Sequence, residues 1–266
     1  MAAPRACVWC HRSPVSPEHV WPKWLRRALP DPGSPSHVRS REGMTELVHQ
    51  APPFTTKVRR VCRTCNTGWM SQLEEEVKPI ALPLIQGQTR QLDAQQQQTL
   101  AFWAIKTGML FQFATPPPWF IPAAHFDELY RSRGTRTPLT NSQVHLAAYR
   151  GARTYAGFFA QPLAMTALNP DPRFPTGPSM VANAYGVTLS LNQLVLQFFA
   201  HTVAGLRLRM IPRGFEDVIV PIWPASSSVS WPPAHWLNDG ELAALENAFR
   251  NMPDTVIPAP ASKGSS

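Results

Sequence analysis

The sequence predicts an α+β protein in which a small zinc-organised module precedes a mixed region of helices and strands. Three observations carry this reading. Two Cys-x-x-Cys pairs, Cys7-Val8-Trp9-Cys10 and Cys62-Arg63-Thr64-Cys65, account for all four cysteines, with 51 residues between them. A long helical pattern over 93–113 sets Leu100, Trp103, Thr107 and Leu110 along one stripe beside Ala104 and Phe111. Strand-like runs then follow at Gln143–Arg150, Tyr155–Gln161, Gly186–Ser190 and Leu194–His201.

Each cysteine pair can clamp one edge of a tetrahedron of thiolates around Zn²⁺, so Cys7, Cys10, Cys62 and Cys65 are read as one structural zinc site. The long gap exceeds a compact zinc ribbon. It fits a treble-clef arrangement of knuckle, hairpin and a helix whose first turn supplies the last sulfur. A redox-active pair is the competing reading, although such motifs normally come singly beside a βαβ pattern.

Between the pairs, Glu18 and His19 fall on the expected hairpin. Residues 30–53 shift to Pro, Ser, Gly and charge and read as a loop with a short strand near Thr45–Val48. Lys57 to Val61 alternates as a strand and leads into the second pair. After Cys65, the Asn66-Thr67 start, the acids of Glu74-Glu75-Glu76 and Lys78 before Pro79 mark a helix of about three turns. Leu191-Asn192-Gln193 reads as a hairpin turn, 216–223 as a further strand, and Asp239–Arg250 as a final helix with Leu242, Leu245 and Phe249 on one face. The expected organisation is a zinc module over 1–78, an α+β region of unassigned role over 79–252, and a disordered Pro/Ala/Ser tail over 253–266.

Charge is unevenly spread. Residues 1–65 hold 11 Lys or Arg against 4 Asp or Glu, while 66–266 hold 14 against 13. A positive field concentrated on the cysteine-bearing part attracts polyanions, nucleic acid first among them. Lys57, Arg59, Arg60 and Arg63 are the candidate phosphate contacts. Trp21 and Trp24, interleaved with Lys23, Arg26 and Arg27, either stack on bases or fill the module's small core. The N-terminal stretch has no signal-like apolar run, and no segment reaches the ~18 apolar residues of a membrane span. Paired cysteines fit a reducing compartment, so a cytoplasmic location without membrane contact is expected.

The pattern Cys-x-x-Cys, acid-His, Cys-x-x-Cys-Asn resembles the zinc-containing branch of the HNH endonucleases, whose ββα-metal site is built on a treble clef. The similarity rests on Glu18-His19-Val20-Trp21-Pro22-Lys23-Trp24-Leu25 and on Cys62 through Met70, and covers residues 7 to about 78. It implies that His19 is the general base activating water, and that Glu18 and Asn66 hold a catalytic Mg²⁺ or Mn²⁺ distinct from the structural Zn²⁺. It implies a nucleic-acid substrate, DNA ahead of RNA. The family's middle Asn has no counterpart, since residues 20–61 contain none; His37, His49, Gln50 or a backbone carbonyl would have to orient His19. Read without the resemblance, Asn66 is an N-cap and Glu18-His19 an exposed polar pair on a turn. His125, His145, His201 and His235 lie far apart in sequence and read as core or surface residues, and the Glu74–Glu76 run as a solvated helix face.

Overall fold

The computed structural model describes residues 6–29, 37–41, 44–49, 53–115, 117–152, 156–165, 182–206, 208 and 210–251. The expected tail over 253–266 lies outside them, as do Gln50 and the side chains of His37 and His49. The chain is a mixed α+β protein.

The first unit is a two-stranded antiparallel pair, β1 (Val15–His19) and β4 (Lys57–Cys62), with Val15 opposite Cys62 and His19 opposite Lys57. A short helix, α1 (Lys23–Ala28), leaves β1 with Leu25 buried. The stretch read as a loop with a short strand near Thr45–Val48 contains a complete hairpin, β2 (His37–Arg41) and β3 (Met44–His49), the second covering the expected strand. That hairpin does not belong to the cysteine-bearing strands: β2 pairs in parallel with β7 (Ala156–Leu163) and extends the edge of the large sheet.

From Cys62 the backbone turns through α2 (Arg63–Cys65) and a wide turn over Asn66–Met70 into α3 (Ser71–Ile85). Gly68, at φ −94° and ψ −115°, breaks helical geometry between them. The helix expected to stop before Pro79 continues through Pro79 and Pro83. Each interior proline costs roughly 3 kcal/mol. Against this, Leu73, Val77, Ala81, Leu84 and Ile85 are buried, and burying a large aliphatic side chain stabilises by roughly 1.5–3 kcal/mol, so packing carries the helix past both prolines. It ends at Gly87 in the left-handed conformation (φ 70°), where Gly87 N–H donates to Leu84 O and Gln88 N–H to Pro83 O, a Schellman closure.

Next come β5 (Arg90–Asp93) and the central helix α4 (Ala94–Phe111), opened by a capping box in which Asp93 and Gln96 bond each other's backbone. The expected single apolar stripe proves too narrow. Every residue from Thr99 to Phe111 is buried, because the helix lies between α3 and the sheet and has no solvent face. α5 (Ala123–Arg131) was not foreseen from the sequence.

The sheet is built from β6 (Ser142–Tyr149), β7, β8 (Ala184–Leu191) and β9 (Leu194–His201), with β10 (Val220–Trp223) outside β6. The strand order is β10-β6-β9-β8-β7-β2-β3, and β12 (Trp236–Leu237) adds to β6 in parallel. The strand expected over 216–223 begins only at Val220, since Val218 and Ile219 N–H both bond Phe215 O in a preceding turn. β11 (Ser228–Trp231) pairs separately with β5.

Both faces of β8 and β9 are buried. One face meets α4, most closely at Gly108, where an added Cβ would lie 2.6 Å from the Phe198 ring. The other is covered by α6 (Asp239–Asn247) and the turn after it: Gln197 Nε2 donates to Leu245 O at 2.8 Å, and Phe249 lies over Gly186.

Candidate metal centre and the surface around it

The four cysteines come together. Their sulfurs all lie within 4.8 Å of one another, and Cys10 Sγ is 3.5 Å from Cys62 Sγ. A tetrahedron with Zn–S arms of about 2.3 Å has edges of about 3.8 Å, so the donor set matches a tetrathiolate ion in both chemistry and spacing. The chain holds this geometry by backbone bonds. Cys7 N–H donates to Arg12 O and His11 N–H to Cys7 O, both at 2.9 Å, with His11 at φ 59° closing the knuckle. Val8 N–H donates to Arg60 O at 2.9 Å, which sews the first knuckle to β4. The second pair is delivered by β4 and the first helical turn.

The thiols depend on one another. A hydrogen bond from Cys65, aided by backbone N–H groups, pulls Cys7 down to about 4, and the resulting anion pushes Cys65 up. Among these sulfurs Cys7 is thus the favoured thiolate, while burial raises Cys10.

Aromatic packing ties this centre to the rest of the molecule. Trp9 meets Trp69 edge-on at 5.3 Å and Phe126 of α5 at 5.1 Å, and Trp21 lies 4.9 Å from Phe111 of α4. Of the two readings of Trp21, core filling is the one observed: it is buried against α4 and Phe111 and presents no face for a base. Trp24 is half-buried against the same cluster. Leu73, on α3, and Trp69, in the wide turn before it, are both buried.

Glu18 and His19, adjacent on β1, occupy different environments. Glu18 is 7 % exposed, so the reading of both residues as an exposed pair on a turn does not hold. Burial pushes its carboxyl up to about 7 against the pull of the Lys106 cation, and the Glu74 carboxylate adds to the rise. Lys106, in the middle of α4, is 0 % exposed, and its Nζ lies 3.3 Å from Glu74 Oε1. Glu18, Glu74 and Lys106 therefore form a buried charged group contributed by β1, α3 and α4. His19 is half-buried at the other end of β1 from Val15; burial and the cations Lys57, Lys23 and Arg26 lower its pKa. Its neutral imidazole is thereby favoured.

Asn66 is half-buried in the wide turn after Cys65, and its side chain does not cap a helix: the turn accepts no side-chain cap bond, and regular helix resumes only at Ser71. It follows the Cys62 end of β4, whereas His19 sits at the Lys57 end. No hydrogen bond joins Glu18, His19 and Asn66 directly among the described residues.

The four candidate phosphate contacts divide. Lys57, Arg59 and Arg63 are exposed, the first two on one face of β4 as alternation requires. Arg60 turns the other way and lies over the Trp119 and Phe113 rings, at 4.2 and 5.1 Å from their centroids. The Glu74–Glu76 run is not a wholly solvated face: besides Glu74 on Lys106, Glu76 takes a two-pronged contact from Arg136 at 2.7 and 2.8 Å.

Two of the scattered histidines also meet. His125 Nδ1 bonds Tyr185 OH at 2.6 Å and its ring reaches the His201 backbone, while burial and His125 lower His201 to about 4. Sequence spacing carries no signal for this, since the partners come from α5, β8 and β9. Among the described residues no helix is long and apolar enough to cross a membrane. Compared with family models, curated proteins and solved structures, the chain matches none.

Proposed function

We propose that this chain is a metal-dependent endonuclease of the HNH type that hydrolyses phosphodiester bonds of nucleic acid, DNA ahead of RNA. The observation that supports the reading is the acid–imidazole pair, Glu18-His19, on a strand paired with the one that ends in Cys62, beside a four-cysteine cluster that Asn66 directly follows. In this reading the cysteines hold a structural Zn²⁺ in a treble clef, and His19 takes the proton from the attacking water. Its partial burial and surrounding cations favour the neutral base required for that step. Glu18 and Asn66 would hold Mg²⁺ or Mn²⁺, which when bound offsets the charge developing at the scissile phosphate and the departing oxygen. Lys57, Arg59 and Arg63 neutralise flanking phosphates.

The test is cleavage of plasmid DNA by the zinc-loaded chain with Mg²⁺ or Mn²⁺, compared with His19→Ala. Cleavage by the wild type that is lost in the variant supports the assignment; equal activity in both, or none in either, overturns it.

One observation favours a second reading. Glu18 faces Lys106 inside the protein, as a structural carboxylate does, which suits a non-catalytic zinc module that binds nucleic acid without cutting it. Salt-sensitive binding without cleavage by any divalent ion selects this alternative.

A further inference from the structure

The described cations of this chain differ in their surroundings. Many are already engaged: Lys106 on Glu74, Arg136 on Glu76, and Arg60, Arg133 and Arg150 over the rings of Trp119, Tyr130 and Trp236 at 4.2, 4.0 and 4.3 Å. Arg90, Arg131 and Arg213 are exposed but stand on separate elements. Lys23, Arg26 and Lys57 are different. All three are exposed, none has an ion pair or ring contact among the described residues, and they gather around one side chain.

That side chain is His19. Lys57 is its partner across the β1–β4 pair. Lys23 opens α1 four positions after it, and Arg26 follows one turn later on the same side of the helix. The start of α1 and the Lys57 end of β4 thus bring three positive charges to the His19 end of β1. Like charges brought together from two elements repel one another and oppose folding unless an anion enters between them. The remainder of α1 narrows the choice of anion. Leu25 is buried in the core and Trp24 is half-buried against it, so a helix of six residues has little apolar surface left to insert among lipids, and a membrane surface is a poor partner. A repeating phosphate backbone needs only the charges.

We propose that Lys23 and Arg26 of α1, with Lys57 of β4, form a phosphate clamp that grips a nucleic-acid backbone on both sides of His19. The clamp rests on the phosphodiester reading of His19 but is defined by binding, so the two can fail separately. It adds α1, which the strand-borne contacts Arg59 and Arg63 do not include, and it places the bound backbone across the imidazole.

The experiment uses the full zinc-loaded chain and a fluorescent 20-nucleotide DNA, single-stranded or duplex, without divalent ions, titrated by anisotropy over a series of salt concentrations. The triple variant Lys23→Gln, Arg26→Gln, Lys57→Gln should keep wild-type zinc content and circular dichroism, since all three side chains are exposed. It should bind at least about tenfold more weakly at low salt, with the slope of log K against log salt reduced by ~2–3 for duplex. Arg213→Gln, an exposed cation in the turns before β10, should bind as the wild type. Wild-type affinity in the triple variant, no DNA binding by the wild type at low salt, or tighter binding to anionic phosphatidylglycerol vesicles than to DNA would each overturn the clamp. Binding that is lost in the triple variant while the wild type cleaves nothing with Mg²⁺ or Mn²⁺ would uphold the clamp and overturn the hydrolytic reading.

Discussion

Lys106 Nζ lies 3.3 Å from Glu74 Oε1, and the lysine is fully buried in the middle of the central helix. A lone ammonium in such a place would be expelled or neutralised. Here it is matched by Glu74 from α3 and by the nearby Glu18 from β1. Removing one member of a buried charge group leaves the others uncompensated, at a cost of about 3–5 kcal/mol. Lys106→Met should therefore destabilise the zinc-loaded protein by about that much in urea denaturation. Adding Glu18→Gln and Glu74→Gln to it should recover most of the loss. A Lys106→Met protein as stable as the wild type would show that the group is not coupled.

Gly108 supplies a prediction of opposite sign to the usual rule. Glycine inside a helix is ordinarily improved by alanine, by about 1 kcal/mol. At this position an alanine Cβ would lie 2.6 Å from Phe198 Cε1 and 3.0 Å from Val187 Cγ1. Gly108→Ala should instead destabilise by about 1–3 kcal/mol, the cost of overpacking a close helix–sheet contact. Thermal or urea unfolding checks it, and a stabilised variant would contradict the packing described between α4 and the sheet.

The His125–His201 pair predicts an acid-sensitive core. His201 is 3 % exposed and its pKa is lowered to about 4, first by burial and then by His125. The unfolded chain takes up this proton near pH 6.5 while the folded one resists it, so the stabilising contribution is intact above about 6.5 and is lost as pH falls towards 4. The total is on the order of 3 kcal/mol. Stability measured between pH 7 and 4 should fall more steeply in the wild type than in His201→Gln, and parallel profiles would contradict the assignment.

How much of this was legible in sequence follows from the range of the interactions. The central helix and the β8–β9 hairpin were read from local signals: helical periodicity across Leu100 to Phe111, and two apolar runs flanking Leu191-Asn192-Gln193, with Asn192 left-handed at φ 50°. The cysteine cluster was legible because each pair is itself local, and only the closure between pairs had to be inferred. What escaped is decided by distant partners. The β5–β11 pair joins Asp93 to Ser228. The β2–β3 hairpin takes its place from β7, more than a hundred residues later in the chain. The Glu74–Glu76 run looks solvated until Lys106 and Arg136 come into view, and Arg60 looks like a phosphate contact until Trp119 folds beneath it. Local pattern records how the backbone is made, whereas a charge's partner is settled by tertiary packing.

The sulfur cluster is where the register of β1 against β4 and the short helix α2 both end, so the rest of the site depends on it. Its direct test is the metal content of protein purified without added metal, measured by elemental analysis beside Cys62→Ser. The expected result is one zinc per chain in the wild type and little or none in the variant, with unfolding of the wild type shifted to lower temperature by a strong chelator. Wild-type protein that carries no zinc, takes none up, and melts unchanged in chelator would contradict it.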